Sequence, residues 1–203
     1  MFNKKVLEKI NKTNSKLLLV TKYFDAIKTR EILSEIKKEP CFLALGENRI
    51  DDVINKNLPR ENVHFIGNIQ SRRIGEISEY CLVIHSLCDL KHARLFAKQK
   101  NKCKFFIQIN ISGEKSKQGI IPENFAGFYK SLPKELEIIG ISGMGKGQSF
   151  TKAEKIAEFE ELLEIREKFN KDWQISAGTS VDYEIALQLG INIVRIGRAM
   201  FLD

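Results

Sequence analysis

The chain has little of what would tie it to several large protein classes. No apolar run approaches the roughly 18 to 20 residues that cross a bilayer. The segment from Met1 to Lys16 is polar and lysine-rich, without the apolar stretch of a secretory leader. A cytoplasmic location is the resulting expectation. Of the four cysteines, Cys41, Cys81, Cys88 and Cys103, no two form a CxxC pair, and three lie in or beside apolar runs. They read as reduced, packed thiols, which argues against a disulfide scaffold or a thiolate zinc site. The three histidines, His64, His85 and His92, have no metal-ligand spacing and read as structural. Low-complexity tracts, Pro/Gly/Ser linkers and composition shifts are missing as well, so a single domain over residues 1–203 is expected.

The formal net charge of +7 raises a nucleic-acid reading. The lysines, however, are scattered through helical stretches, as at Lys37-Lys38 and Lys98 to Lys104, and no basic run interleaves with aromatics. A solvated surface that favours anionic ligands is the simpler account. The partner expected is a small molecule, with no nucleic acid and no membrane.

What is present is a repeated pattern: a short apolar run, a polar or glycine residue, then a helical stretch. The runs are Leu17 to Val20, Cys41 to Leu45, Val63 to Ile66, Cys81 to Ile84, Phe105 to Ile109, Ile138 to Ile141, Trp173 to Ile175 and Ile193 to Ile196. They are short and rich in branched residues, as buried parallel strands are. Helical periodicity marks Ala26 to Lys38, Asp89 to Gln99, Lys152 to Phe169 and Asp182 to Leu189, with a weaker helix between Gly67 and Tyr80. Eight such runs alternating with helices predict an α/β fold of one (β/α)8 TIM-type barrel. An open doubly wound sheet is the competitor. It needs only about five or six strands, and no GxGxxG follows the first run.

In such barrels the chemistry sits at the C-terminal ends of the strands. That rule nominates Lys22, Asn48, Asn68, His85, Asn110, Met144, Ser176 and Arg195. Lys22 follows the first strand and is expected at the barrel mouth, partly buried, where a lowered pKa would free its amine for a Schiff base. Position alone favours the plainer reading of a surface lysine opening a loop. Ser176-Ala177-Gly178-Thr179-Ser180-Val181-Asp182 places small and hydroxyl residues between a strand and a helix, a phosphate cradle in form. Asp182 or Ser180 is alternatively an ordinary N-cap. Arg195-Ile196-Gly197-Arg198 follows the eighth strand, and the loops after strands seven and eight are a common barrel phosphate site. One amine, one phosphate cradle and one partner for a ring nitrogen match pyridoxal phosphate, with Arg195 in the region of the third task. A permanently charged arginine would leave the pyridine nitrogen unprotonated and weaken the ring as an electron sink.

These residues, taken in order, resemble the pyridoxal phosphate homeostasis proteins, related to the N-terminal barrel of bacterial alanine racemases. The resemblance runs through Leu17 to Lys22, Gly46-Glu47-Asn48, His64 to Ser71, Gln108 to Ser112, Lys115 to Gly119, Gly140 to Met144, Ser176 to Asp182 and Val194 to Gly197. It implies that Lys22 carries pyridoxal 5'-phosphate as an internal aldimine and that Asn48 and Met144 belong to the site. It also implies that Ser176, Gly178, Ser180, Gly197 and Arg198 surround the phosphate, and that Arg195 faces the pyridine nitrogen. The implied function is to hold, buffer and deliver the cofactor in vitamin B6 homeostasis, with apo enzymes as recipients and no established turnover. The chain departs from the family at Ala177 and Thr179, where methionines are usual. It also departs at Arg198, where a small or hydroxyl residue is common, and at Arg49, where an aromatic follows Glu-Asn. An amino-acid racemase is one alternative. It needs a second acid/base, which alanine racemases take from a separate domain, and the chain stops at Asp203. That favours a carrier, expected to be a monomer. A cofactor-free Schiff-base aldolase acting on a phosphorylated sugar is the other alternative.

Overall fold

The computed structural model describes residues 2–114, 117–143, 145 and 151–201. Met144, and Lys115 and Ser116 of the Lys115 to Gly119 motif, lie outside them.

Among the described residues the chain runs α1 (Lys4–Asn11), β1 (Lys16–Val20), α2 (Ala26–Ile36), β2 (Phe42–Glu47), α3 (Ile50–Lys56), β3 (Val63–Phe65), α4 (Ile74–Tyr80), β4 (Val83–Leu87) and α5 (Leu90–Ala97). It continues with β5 (Lys104–Ile109), α6 (Phe125–Lys130), β6 (Glu137–Gly143), α7 (Lys152–Phe169), β7 (Gln174–Ser176), α8 (Tyr183–Gln188), β8 (Ile193–Ile196) and α9 (Arg198–Phe201). The strands form a closed parallel barrel in sequence order, with β1 paired to both β2 and β8. The expected (β/α)8 architecture is therefore the one observed. All eight apolar runs overlap a strand. The fourth is displaced: β4 begins at Val83 and continues through His85, Ser86 and Leu87. The helices α3 and α6 carry too few periodic positions to stand out in the sequence.

Side chains just before the helices set where they start. The Asp25 carboxylate accepts from the Lys28 N–H at 2.8 Å to cap α2. Asp89 does the same for α5. Thr151 and Glu154 form a reciprocal capping box at α7. The outer faces of the strands and the inner faces of the helices share one extensive apolar core, which includes Leu17, Leu19, Phe65, Phe105, Phe159 and Ile196. A second, smaller cluster fills the barrel itself: Leu18, Ala44, Val83, Phe106 and Ile193.

Strand side chains alternate between faces, so the inward residue two positions further along lies one layer nearer the mouth. On β4 that step leads from Val83 to His85, and on β8 from Ile193 to Arg195. The barrel interior thus has an apolar floor and a polar upper layer. The cysteines are free thiols. Cys41, Cys81 and Cys103 are buried and Cys88 is half-buried, and burial pushes all four thiols up. Trp173 is buried with its ring edge-on to Tyr129 at 5.0 Å.

Candidate functional site

Closure of the barrel makes β1 and β8 neighbours, with Leu18 opposite Arg195 and Leu19 opposite Ile196. The loops that follow these strands therefore meet at the mouth. A cavity of about 390 Å³ opens there. It is lined by Val20, Lys22 and Tyr23 from the end of β1, Ile66 after β3, Thr179, Ser180 and Val181 before α8, and Arg195, Gly197 and Arg198 from β8 into α9.

Lys22 is thus at the mouth, as its position implied, but it is exposed and not partly buried. The reason is length: β1 ends at Val20, so Lys22 rises above the rim on the following loop. Its Nζ sits 5.0 Å from the centroid of the Tyr23 ring, and both residues line the same cavity. Thr21, one residue earlier, is held hard. Its N–H donates to the Gly46 carbonyl, its hydroxyl donates to Glu47 Oε1 at 2.6 Å, and its carbonyl accepts from Lys56 Nζ at 2.9 Å. The exposed amine is thus carried on a fixed stem.

Of the residues expected around a phosphate, Ser180, Gly197 and Arg198 line the cavity with Lys22. The hydroxyl of Ser180 accepts from the Ala199 N–H at 3.2 Å, which ties the loop before α8 to the start of α9. Asp182 occupies the N-cap position of α8 without capping it. Its carboxylate turns back and accepts from the N–H and hydroxyl of Thr179 at 2.6 and 2.9 Å, and it pairs with Lys155 at 3.4 Å. Gly178 does not line the cavity. Its φ of +88° and a virtual Cβ 2.6 Å from Ala186 Cβ show that this residue makes the turn under the loop, where a side chain would clash.

Asn48 is not brought to Lys22. It lines a neighbouring polar cavity of about 290 Å³ with Arg49, Asp51, Asn68 and Arg73. The backbone explains the separation. A Cβ on Gly67 would stand 1.9 Å from the Asn48 carbonyl oxygen, so the two loops cross in contact and Asn48 is pinned on the outer side of the rim. Asn48 Oδ1 is buried with no hydrogen-bond partner among the described residues.

Ser176 and Arg195 lie one layer down, in the barrel interior, and both are buried. Arg195 donates from one terminal nitrogen to the Ser176 carbonyl and hydroxyl at 2.6 and 3.2 Å, and from the other to the Gly143 carbonyl at 2.6 Å. The guanidinium is therefore clamped between β7 and β6. Burial lowers its pKa to about 10, a change opposed by the Asp182 carboxylate, so it stays charged at neutral pH. Behind Ser176 the polar layer continues. His85 Nδ1 lies 2.9 Å from Ser176 Oγ, and His85 Nε2 lies 3.0 Å from His64 Nδ1. Burial pushes His64 down to about 4. Burial first, then His64 and Arg195, push His85 well below the ordinary imidazole value. Both rings are neutral. The sequence reading of satisfied histidines holds, but their partners are each other and the site. The signal available in the sequence was a polar residue inside an apolar run, at His64 and Arg195, or directly after one, at His85 and Ser176.

An inward arginine on the last strand, hydroxyl-bearing loops after the last two strands and an amine after the first define the alanine-racemase type of barrel. The fold comparison agrees: alanine racemase of Clostridium difficile 630 superposes with a TM-score of 0.72 over 95% of this chain and 54% of its own, at 15% identity. No family model matches the sequence. The pyridoxal phosphate homeostasis protein of Pseudomonas aeruginosa is 34% identical over 172 residues, which covers 77% of this chain and 72% of the relative. The chain belongs to the pyridoxal phosphate homeostasis protein family. PipY of Synechococcus elongatus PCC7942, solved with PLP bound, has the same fold at a TM-score of 0.74 and 21% identity, over 97% of this chain and all of that one.

Proposed function

We propose that the protein binds pyridoxal 5'-phosphate at the mouth of the barrel and acts as its buffer and carrier. The observation that carries this reading is one shared cavity lined by a primary amine, two aliphatic hydroxyls and two guanidinium groups: Lys22, Thr179, Ser180, Arg195 and Arg198. The donor set fits the group. Pyridoxal phosphate brings an aldehyde for a primary amine, a dianion and a ring nitrogen. Lys22 supplies the amine. Ser180, the Gly197 backbone and Arg198 would hold the phosphate, with Arg198 able to pair directly with it. Arg195 lies beneath them with its donors fixed by β6 and β7, and would face the ring nitrogen. A residue that stays charged offers that nitrogen hydrogen bonds but no proton. Family membership and the PLP-bound PipY structure support the same reading.

Carriage is favoured over turnover. Racemisation needs a second acid/base opposite the lysine. Tyr23 is the one phenol lining the cavity among the described residues, and Lys22 lies over its ring on the same loop, not across a substrate from it. Recipients of the cofactor would be apo enzymes that depend on it. A monomer at work in the cytoplasm completes the proposal. Among the described residues no helix is long and apolar enough to cross a membrane.

The test is an absorption spectrum after incubation with pyridoxal phosphate. A visible band lost on borohydride reduction and missing from Lys22→Ala is expected. A colourless wild type under saturating cofactor overturns the reading and favours a cofactor-free aldolase, and a band that persists in Lys22→Ala overturns Lys22 as the point of attachment.

A further inference from the structure

The polar layer above the floor of the barrel is a chain of hydrogen bonds across four strands: Arg195 on β8, Ser176 on β7, His85 on β4 and His64 on β3. Its polarity follows from what each group is able to donate. A guanidinium only donates, so Ser176 Oγ accepts from Arg195. Ser176 is fully buried, and His85 Nδ1 is the single acceptor within reach of its hydroxyl hydrogen among the described residues. The hydroxyl therefore donates to His85 Nδ1. That leaves His85 with its proton on Nε2, from which it donates to His64 Nδ1. His64 must then carry its own proton on Nε2. Every bond points away from the arginine, and both rings are neutral Nε2–H tautomers. A proton added to His85 would sit on Nδ1, facing a hydroxyl that already accepts from a cation.

We propose that His85 and His64 are positioning residues for the ligand site: through Ser176 their one-way hydrogen-bond chain orients the Arg195 guanidinium that a bound ring would meet. The ligand half of this inference rests on the pyridoxal phosphate reading. The chain itself does not, because it is complete in the protein alone. His85 is also held in plane by its stack on Phe106, with centroids 4.3 Å apart and 14° between the rings, so the imidazole is fixed by packing as well as by bonding. Ser142 on β6 donates its hydroxyl to the His85 carbonyl and anchors the strand behind the ring.

The experiment has two arms. In the first, imidazole 15N NMR on the unliganded protein is expected to show His64 and His85 as neutral Nε2–H tautomers, and Ser176→Ala is expected to release His85 into tautomer exchange. A charged His85 or an Nδ1–H tautomer in the wild type overturns the chain. In the second, ring-15N-labelled pyridoxal phosphate is bound to the wild type, Ser176→Ala, His85→Gln and His85→Phe. The expected result is a changed ring-nitrogen shift in the variants and affinity weakened three- to tenfold, with the Lys22-dependent band retained. Variants with wild-type shift and affinity overturn the positioning role. Ser176→Ala removes one oxygen, so it keeps the test decisive if the His85 variants do not fold. A wild type that forms no band fails the cofactor reading and leaves the first arm standing.

Discussion

Lys56 Nζ lies 2.6 Å from Glu47 Oε1, and both side chains are shut away from water. The pair is not ornamental, because the same ammonium donates to the Thr21 carbonyl and so ties α3 to the stem of Lys22. The second Glu47 oxygen, Oε2, is buried without a partner among the described residues, so Lys56 is the one charge that balances the carboxylate there. Lys56→Met is expected to destabilise the protein by about 3–5 kcal/mol, the usual result of stranding one buried charge. Lys56→Met combined with Glu47→Leu is expected to recover most of that loss. Urea unfolding of the single and double variants measures both, and equal midpoints for Lys56→Met and the wild type would remove the pair from the account.

The crossing of Gly67 and Asn48 predicts a steric effect without any chemistry. A methyl at residue 67 meets the backbone oxygen of Asn48 at 1.9 Å, and no rotamer relieves that contact. Gly67→Ala is expected to lower stability by about 1–3 kcal/mol or more by forcing the β2 and β3 loops apart. Thermal unfolding reads it directly. An unchanged midpoint would show that the loops separate freely.

Acid sensitivity follows from His64. An unfolded imidazole takes up a proton near pH 6.5, whereas burial holds the folded one off until about 4. Between these values the unfolded chain binds more protons, so stability is full above pH 6.5 and falls as the pH is lowered through the window. The difference corresponds to roughly 3 kcal/mol from this residue. Unfolding midpoints measured from pH 7 to 4 should decline, and more shallowly in His64→Phe than in the wild type. Parallel profiles would contradict the neutral, buried assignment.

Arg198 lines the same cavity as Lys22. If it pairs with the phosphate, Arg198→Ala should weaken pyridoxal phosphate binding about tenfold, the scale of one charge-assisted hydrogen bond. The loss should shrink when unphosphorylated pyridoxal is the ligand. Fluorescence titration with both compounds distinguishes a phosphate contact from a solvated arginine, for which neither affinity changes.

The barrel was legible because its strands are short, mostly apolar runs, from Leu17 to Val20 through to Ile193 to Ile196, and because helices as clear as α7 separate them. The meeting of Lys22 with Ser180, Gly197 and Arg198 was legible too, since closure makes the first and last strands neighbours. Three features were not. The exposure of Lys22 depends on β1 stopping at Val20, a boundary that apolarity does not mark. The exclusion of Asn48 from the cavity depends on two loops touching through backbone alone, at a glycine whose reason is visible only in space. The His64–His85–Ser176 connection joins β3, β4 and β7, and no spacing along the chain encodes which inward residues meet across a barrel.

Phe106 belongs to the apolar floor, yet its face carries His85. Floor and mouth therefore touch through one pair of stacked rings, and a change of volume deep in the barrel has a mechanical route to the guanidinium above it. Core substitutions at Phe106, which no inspection of the cavity wall would nominate, become levers on the ligand site.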